Sequence, residues 1–209
     1  MSALVSIAST DPSPGDAGGH PVMLLLHGYG SNERDLPALT PYLPPLPWIS
    51  VRAPLPMPAG GASWFELSLP NEPAQSAIAV ATDTLWEWID AELDQDSPLV
   101  PVGFSQGGLM ATQLLRSRPE RVVATVVLAG FVASERQPAD AQLEQSRPRA
   151  FWGRGLADPV IWPAAIERTA ADLARLTSLT ERVYPGLGHG VSAPMLEDVR
   201  AFLEREVTG

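Results

Sequence analysis

Ser105 stands between glycines in Gly103-Phe104-Ser105-Gln106-Gly107, after the apolar run Leu99–Gly103 and before the helix-like stretch QGGLMATQLLRSRPE. G-x-S-x-G is the spacing of a strand that turns sharply into a helix and holds serine at the tip. Bulk at Gly103 or Gly107 would collide with neighbouring backbone in so tight a turn, and Gly108 allows close helix packing. The positive end of the following helix favours negative charge beside Ser105. A serine so placed is suited to nucleophilic attack on an acyl group. The pentapeptide alone also arises by chance from common residue types, so the remaining machinery decides its meaning.

A serine hydroxyl is a weak nucleophile near neutral pH, so a base must take its proton and an acidic group must orient that base. After a serine in this kind of turn the chain order is acid, then histidine. Of the three histidines, His20 and His27 precede Ser105, which leaves His189 in the glycine-flanked stretch GLGHGVSAP. The carboxylates between are Glu120, Glu135, Asp140, Glu144, Asp158, Glu167, Asp172 and Glu181. Open α/β sheets place their sites at the carboxyl ends of strands, and Asp158 directly follows the strand candidate Arg149–Trp152. Asp172 and Glu167 fall in a helical pattern and Asp140 and Glu144 in a polar connection, so these four read as solvated charges.

The tetrahedral intermediate of acyl transfer needs donors for its oxyanion, usually two backbone amides. Gln106 supplies one, as the residue after the nucleophile. LLLHGYGSN offers the second in the loop after an earlier apolar strand, and the amide of Tyr29 is assigned to it. His27 reads as a brace for this loop rather than a proton carrier.

These side chains need a scaffold that gathers them. Short apolar runs alternate with longer segments of helical period, the pattern of strand-helix units on a mostly parallel sheet. Strand candidates are Pro21–Leu26, Trp48–Val51, Leu99–Gly103, Val122–Ala129, Arg149–Trp152 and Glu181–Tyr184, with Leu4–Ile7 as an antiparallel edge strand. Helical stripes recur at Ile78, Thr82, Leu85, Trp86, Ile89 and Leu93, at Met110 and Leu114, at Ile166, Ala170 and Leu173, and at Leu196, Val199 and Leu203. Trp86 and Trp88 read as packing and surface residues. Pro101 conflicts with its strand, because proline lacks the amide proton a central strand donates. Either that position is a local irregularity beside the site, or the strand is shorter than drawn.

Composition narrows the remaining classes. The 209 residues contain 22 prolines, 17 glycines and no cysteine, 45% are hydrophobic and 18% charged, and the formal net charge is −10. This is globular usage with many shaped loops, one domain over residues 1–209 by length. The negative balance has the wrong sign for a nucleic-acid backbone. Without cysteine there are no disulfides, thiolate metal sites or cysteine nucleophiles. The N-terminal stretch MSALVSIASTDPSPG lacks a basic region and a sustained apolar segment, so a soluble, cytoplasmic protein without integral membrane association is expected.

In that order, LLLHGYGSNERDL, RAPLP, GFSQGG, LADPV and GLGHGVS resemble the small carboxylesterase and phospholipase-type serine hydrolases that include the acyl-protein thioesterases. The resemblance runs from about Pro21 to Val207. It implies an α/β-hydrolase with a mostly parallel central sheet, helices on both faces and no large cap domain. It also implies Ser105, Asp158 and His189 as triad, without metal or cofactor. Many relatives carry another His-Gly pair on the strand before the acid, where this chain has Trp152-Gly153.

Only GFVASERQPADAQLEQSRP lies between the strand ending at Ala129 and the one starting at Arg149, too short for a cap domain, so an open site is expected. The loop APLPMPAGGASWFELSLP is the candidate substrate wall, through Trp64, Phe65 and Leu67, with Phe131 opposite. Aromatic residues in such a loop can equally pin it to the body. The expected activity is hydrolysis of short- to medium-chain carboxylic esters, small-molecule substrates, through an acyl-enzyme. The same triad serves an acyl-thioester (acyl-protein) thioesterase or a lysophospholipase, and a binding module on this fold would show a lost triad member. The pattern leaves room for a homodimer.

Overall fold

The computed structural model describes residues 4–9, 21–67 and 72–208; His20, most of the N-terminal stretch and the end of the candidate wall loop lie outside them. Nine strands are present among the described residues: β1 Ser6–Ala8, β2 Val22–Leu26, β3 Trp48–Val51, β4 Leu55–Pro56, β5 Ala62–Ser63, β6 Leu99–Phe104, β7 Ala124–Leu128, β8 Arg149–Gly155 and β9 Ser178–Tyr184. Five helices accompany them: α1 Gln75–Glu92, α2 Gln106–Ser117, α3 Asp140–Ser146, α4 Pro163–Leu176 and α5 Ala193–Glu206. Seven strands form one sheet in the order β1-β3-β2-β6-β7-β8-β9, while β4 and β5 pair as a separate hairpin. Only the β1–β3 contact in the large sheet is antiparallel, so the expected antiparallel edge strand is present, starting two residues later and ending one later than Leu4–Ile7.

Both faces of the sheet are covered, which is why its central strands read as unbroken apolar runs. Along β2, Leu24 and Leu26 pack with Ile78 and Leu85 of α1 and Leu109 and Leu114 of α2. Met23 and Leu25 point the other way, toward Met195, Val199 and Phe202 of α5. Val127 and Trp152 pack with Leu173 of α4. No large cap interrupts this frame: between β7 and β8 the one helix is the seven-residue α3. Among the described residues no helix is long and apolar enough to cross a membrane.

Pro101 is accommodated by an irregularity in its neighbour. The strand on one side, β2, keeps regular register, with Leu24 opposite Pro101. On the other side Leu99 faces Val122 and Val102 faces Val126, three steps along β6 against four along β7. The extra residue bulges β7 where Pro101 has no proton to donate. The strand is therefore not shortened, and it runs through to Phe104.

The other boundary differences have similar causes. Strand β8 continues past Trp152 to Gly155, and β9 starts at Ser178. Gly153 and Gly155 look like punctuation in a sequence, yet a Cβ at Gly155 would lie 2.1 Å from the Leu187 carbonyl oxygen. Glycine there lets the strand end run against the loop that carries His189.

The sheet also explains where a site can form. From β2 the chain moves outward to β3 and then returns to the opposite side as β6, so the strand order reverses between β2 and β6. The carboxyl ends of strands flanking such a reversal splay apart and leave a crevice. His27-Gly28-Tyr29 and Ser105 leave the sheet at these two ends.

Candidate active site

Ser105 links β6 to α2 with φ 54° and ψ −115°, a left-handed backbone that a side-chain-bearing residue adopts only under constraint. Steric closeness supplies it: a Cβ at Gly103 would meet the Gly107 carbonyl oxygen at 2.0 Å, and one at Gly107 would meet that of Leu26 at 1.9 Å. Such contacts are impossible for any larger residue. The Ser105 amide donates to the Leu128 carbonyl, tying the turn to the end of β7. Its hydroxyl is thereby lifted above the sheet's rim.

Asp158 and His189 arrive on loops joined to each other by backbone. The amides of Leu156 and Ala157 donate to the carbonyls of Tyr184 and Leu187, which ties the loop after β8 to the one after β9. Asp158 Oδ1 accepts from the amides of Val160 (2.8 Å) and Ile161 (3.2 Å), which fixes the carboxylate plane. Oδ2 then lies 2.7 Å from His189 Nδ1, and His189 Nε2 lies 2.9 Å from Ser105 Oγ. An ionised carboxylate only accepts, so the ring proton sits on Nδ1 and the Nε2 lone pair faces the serine hydroxyl. The Asp158 side chain is 3% exposed and that of His189 is 17% exposed, so one is sheltered while the other reaches the surface. The Phe104 ring packs on the imidazole at 5.1 Å between centroids.

The loop after β2 is held from beneath. His27 Nε2 accepts from the Ala53 amide at 3.0 Å and Nδ1 donates to the Gly28 carbonyl at 2.8 Å. Burial pushes the His27 pKa down, and the Gly28 carbonyl only partly offsets this, so the ring is neutral. The segments NERDL and RAPLP meet here: Arg52 donates through Nε (2.5 Å) and Nη2 (3.3 Å) to the Glu33 carboxylate. Gly30 and Ser31 use their amides on Ala62 and Gly28 carbonyls, whereas the Tyr29 amide has no acceptor among the described residues. Gln106, at the first position of α2, has no partner inside the helix for its amide.

Around Ser105 lies a cleft of about 230 Å³ lined by Gly28, Tyr29, Leu67, Phe104, Phe131, Val160 and Ile161, together with Ser31, Asp35 and His189. The sequence model of a family described as phospholipase/carboxylesterase matches residues 13–207. The chain belongs to that family.

Individual proteins also resemble this phospholipase/carboxylesterase family member, in sequence or in fold. A pimeloyl-[acyl-carrier protein] methyl ester esterase of Aromatoleum aromaticum is 34% identical over 140 residues, which make up 66% of this chain and 45% of that protein. The chain thus matches less than half of that relative's length. The crystal structure of the Bacillus cereus carboxylesterase superposes with a TM-score of 0.80 at 21% identity, over 97% of this chain and 94% of the other. Esterase PE8 superposes with a TM-score of 0.79 at 25% identity, over 98% and 100%.

Within the family fold, the residues expected to line a substrate wall separate. Phe131 borders the cleft, with its ring edge-on to Trp162 at 5.2 Å. Trp64 and Phe65 do not border it; both are 1% exposed and serve to pin their loop. Trp64 Nε1 donates to the His27 carbonyl at 2.9 Å. The Gln106 side chain completes the attachment, with Oε1 accepting from the Trp64 amide (3.0 Å) and Nε2 donating to the Phe65 carbonyl (2.7 Å). This second role of Gln106 is not readable from its motif, since it depends on a loop 42 residues earlier.

Asp140 requires a correction. It is 1% exposed rather than solvated, and receives Arg116 Nε and Nη2, each at 2.8 Å. Arg116 also donates to the Ala133 and Glu135 carbonyls, so the guanidinium is engaged on every side. Burial alone would raise the Asp140 pKa, but hydrogen bonds from Arg116 and the Gln137 amide overcome it and hold the carboxyl below its ordinary value. Its helix α3 is likewise absent from the periodicity reading, because seven residues with one buried leucine show no stripe. Glu144 and Asp172 do lie at the surface, paired with Arg175.

Proposed function

We propose that this chain is a serine carboxylesterase that cleaves short- to medium-chain carboxylic esters through an acyl-enzyme on Ser105. The observation that carries this reading is the unbroken line of hydrogen bonds from Asp158 through His189 to Ser105 at the mouth of the cleft. Family membership supports the reaction class. The A. aromaticum relative, named for a methyl ester, adds an example of ester cleavage in a related chain.

In the proposed cycle, Ser105 Oγ attacks the ester carbonyl as His189 Nε2 takes its proton. Asp158 keeps the Nδ1 tautomer and stabilises the imidazolium. The amides of Tyr29 and Gln106 receive the oxyanion, at a helix end whose dipole favours that charge. His189 returns its proton to the leaving alcohol, and water, deprotonated by the same nitrogen, then releases the acid. The apolar side of the cleft, formed by Leu67, Phe131, Val160 and Ile161, supports an acyl group of short to medium length.

The test is a chain-length series of p-nitrophenyl esters and matched thioesters, run on the wild type and on Ser105→Ala. The reading expects oxygen esters of short to medium acyl length to lead, with turnover about a million-fold lower in the variant. Hydrolysis at a near-wild-type rate in purified Ser105→Ala rejects it, and faster thioester cleavage at every length transfers the same machinery to a thioesterase.

A further inference from the structure

We infer that Asp35 selects esters whose leaving alcohol carries a positive charge, an ammonium group above all; this rests on the reading of Ser105 as the nucleophile. The cleft around Ser105 has two unlike sides. Leu67, Phe131, Val160 and Ile161 form an apolar wall suited to an acyl group, while Ser31 and Asp35 form a polar one on the loop after β2. Asp35 is the one carboxylate among the lining residues, which include no lysine or arginine.

The ordinary structural use of an aspartate in this position is to cap a helix, and Asp35 does not do so. It immediately precedes the short 3-10 helix Leu36–Tyr42, yet its carboxylate bonds none of that helix's amides. Nor is it neutralised: among the described residues it has no ion-pair partner, and its one side-chain bond is from the Ser31 hydroxyl at 2.7 Å. The nearby Arg52 is committed to Glu33 through both contacts. One carboxylate oxygen therefore remains to be used.

The aromatic lining suits the same ligand. Tyr29, 45% exposed, and Phe104 border the cleft with the carboxylate, and aromatic faces beside a carboxylate attract ammonium groups. The overall charge of −10 acts in the same direction at longer range. An anionic leaving group would meet an unpaired carboxylate and no arginine among the lining residues.

The experiment compares three butanoate esters of similar size: the choline ester, its neutral 3,3-dimethylbutyl counterpart and the anionic 2-sulfoethyl ester. For an exposed carboxylate with aromatic neighbours, the wild type should favour the cationic over the neutral ester by about fivefold in kcat/KM, and the anionic ester should fall below both. Added salt should shrink the ratio. Asp35→Asn should bring the cationic-to-neutral ratio to about one, and Asp35→Glu should retain part of it. A wild-type ratio near one overturns the inference, as does a preference that survives Asp35→Asn. If turnover is too slow to read, the same two alcohols as leaving groups on a phosphonate report the preference as rates of Ser105 labelling. Neutral-ester turnover that depends on Ser105 without charge preference defeats only the role of Asp35; turnover independent of Ser105 defeats the esterase reading instead.

Discussion

His27 and His189 carry the same tautomer in opposite circumstances. Each has a proton on Nδ1 and a lone pair on Nε2, and each has both nitrogens engaged. The partners of His27 are a carbonyl and an amide of the backbone, neither of which changes charge near neutral pH. Those of His189 are a carboxylate and a hydroxyl at the edge of a cleft. Burial keeps the His27 ring neutral, whereas His189 has a hydroxyl on one side and a carboxylate on the other, the partners that the proposed base role requires. The two buried aspartates differ in the same way. Asp140 meets a guanidinium that never loses its proton, and Asp158 meets an imidazole, which in the proposed cycle takes one from Ser105. Both aspartates are sheltered and hydrogen-bonded; what sets them apart is whether the partner can change charge.

The sharpest way to break the contrast is to remove the rings in turn. His189→Ala should lower kcat by about a million-fold with the thermal transition preserved, and Ser105→Ala should match it, because the two act as one unit. The double variant should be no worse than either single one. Stopped-flow and long-time ester assays check this, and a shortfall of only tenfold would remove His189 from the base role. Next comes Asp158→Asn, expected to cost on the order of ten-thousand-fold by allowing the wrong tautomer.

Asp140→Asn should act on stability instead. It leaves Arg116 buried without its counter-charge, a loss of about 3–5 kcal/mol in urea unfolding, with kcat per folded molecule unchanged. The Asp140 pKa is lowered on folding, so its contribution is present above about pH 4 and is lost as acid drives the pH down through the folded value. Urea midpoints from pH 5 to pH 2 should therefore fall less steeply in the variant.

His27 gives the smallest effect. Its pKa is lowered on folding, so the unfolded chain takes up a proton that the folded one refuses. Stability should then decline as pH drops below about 6.5, by at most about 1.4 kcal/mol per pH unit. His27→Gln should flatten this slope between pH 7 and pH 5. An unchanged slope would mean that the ring accepts a proton in place.

Parts of this arrangement were legible in the sequence because they are local. Strands buried on both faces announce themselves as apolar runs, and a serine between glycines after such a run marks a turn that steric contact demands. Chain order then singles out His189, and the strand-end position singles out Asp158. What stayed hidden depends on neighbours distant along the chain. Pro101 is tolerated through a bulge in β7, Asp140 is buried by an arginine 24 residues away, and Gln106 fastens Trp64 and Phe65. Aromatic residues in a loop look alike whether they face a cleft, as Phe131 does, or the core, as Trp64 does. The complementary charges of Glu33 and Arg52 were visible as types, but their meeting required the parallel β2–β3 pair.

Reaction with a fluorophosphonate, mapped by peptide mass spectrometry and timed in the wild type and in His189→Ala, tests most directly whether His189 activates Ser105. A single adduct on the peptide containing Ser105, formed orders of magnitude more slowly without the imidazole, is the predicted result. Modification elsewhere, or an undiminished rate in His189→Ala, would contradict it.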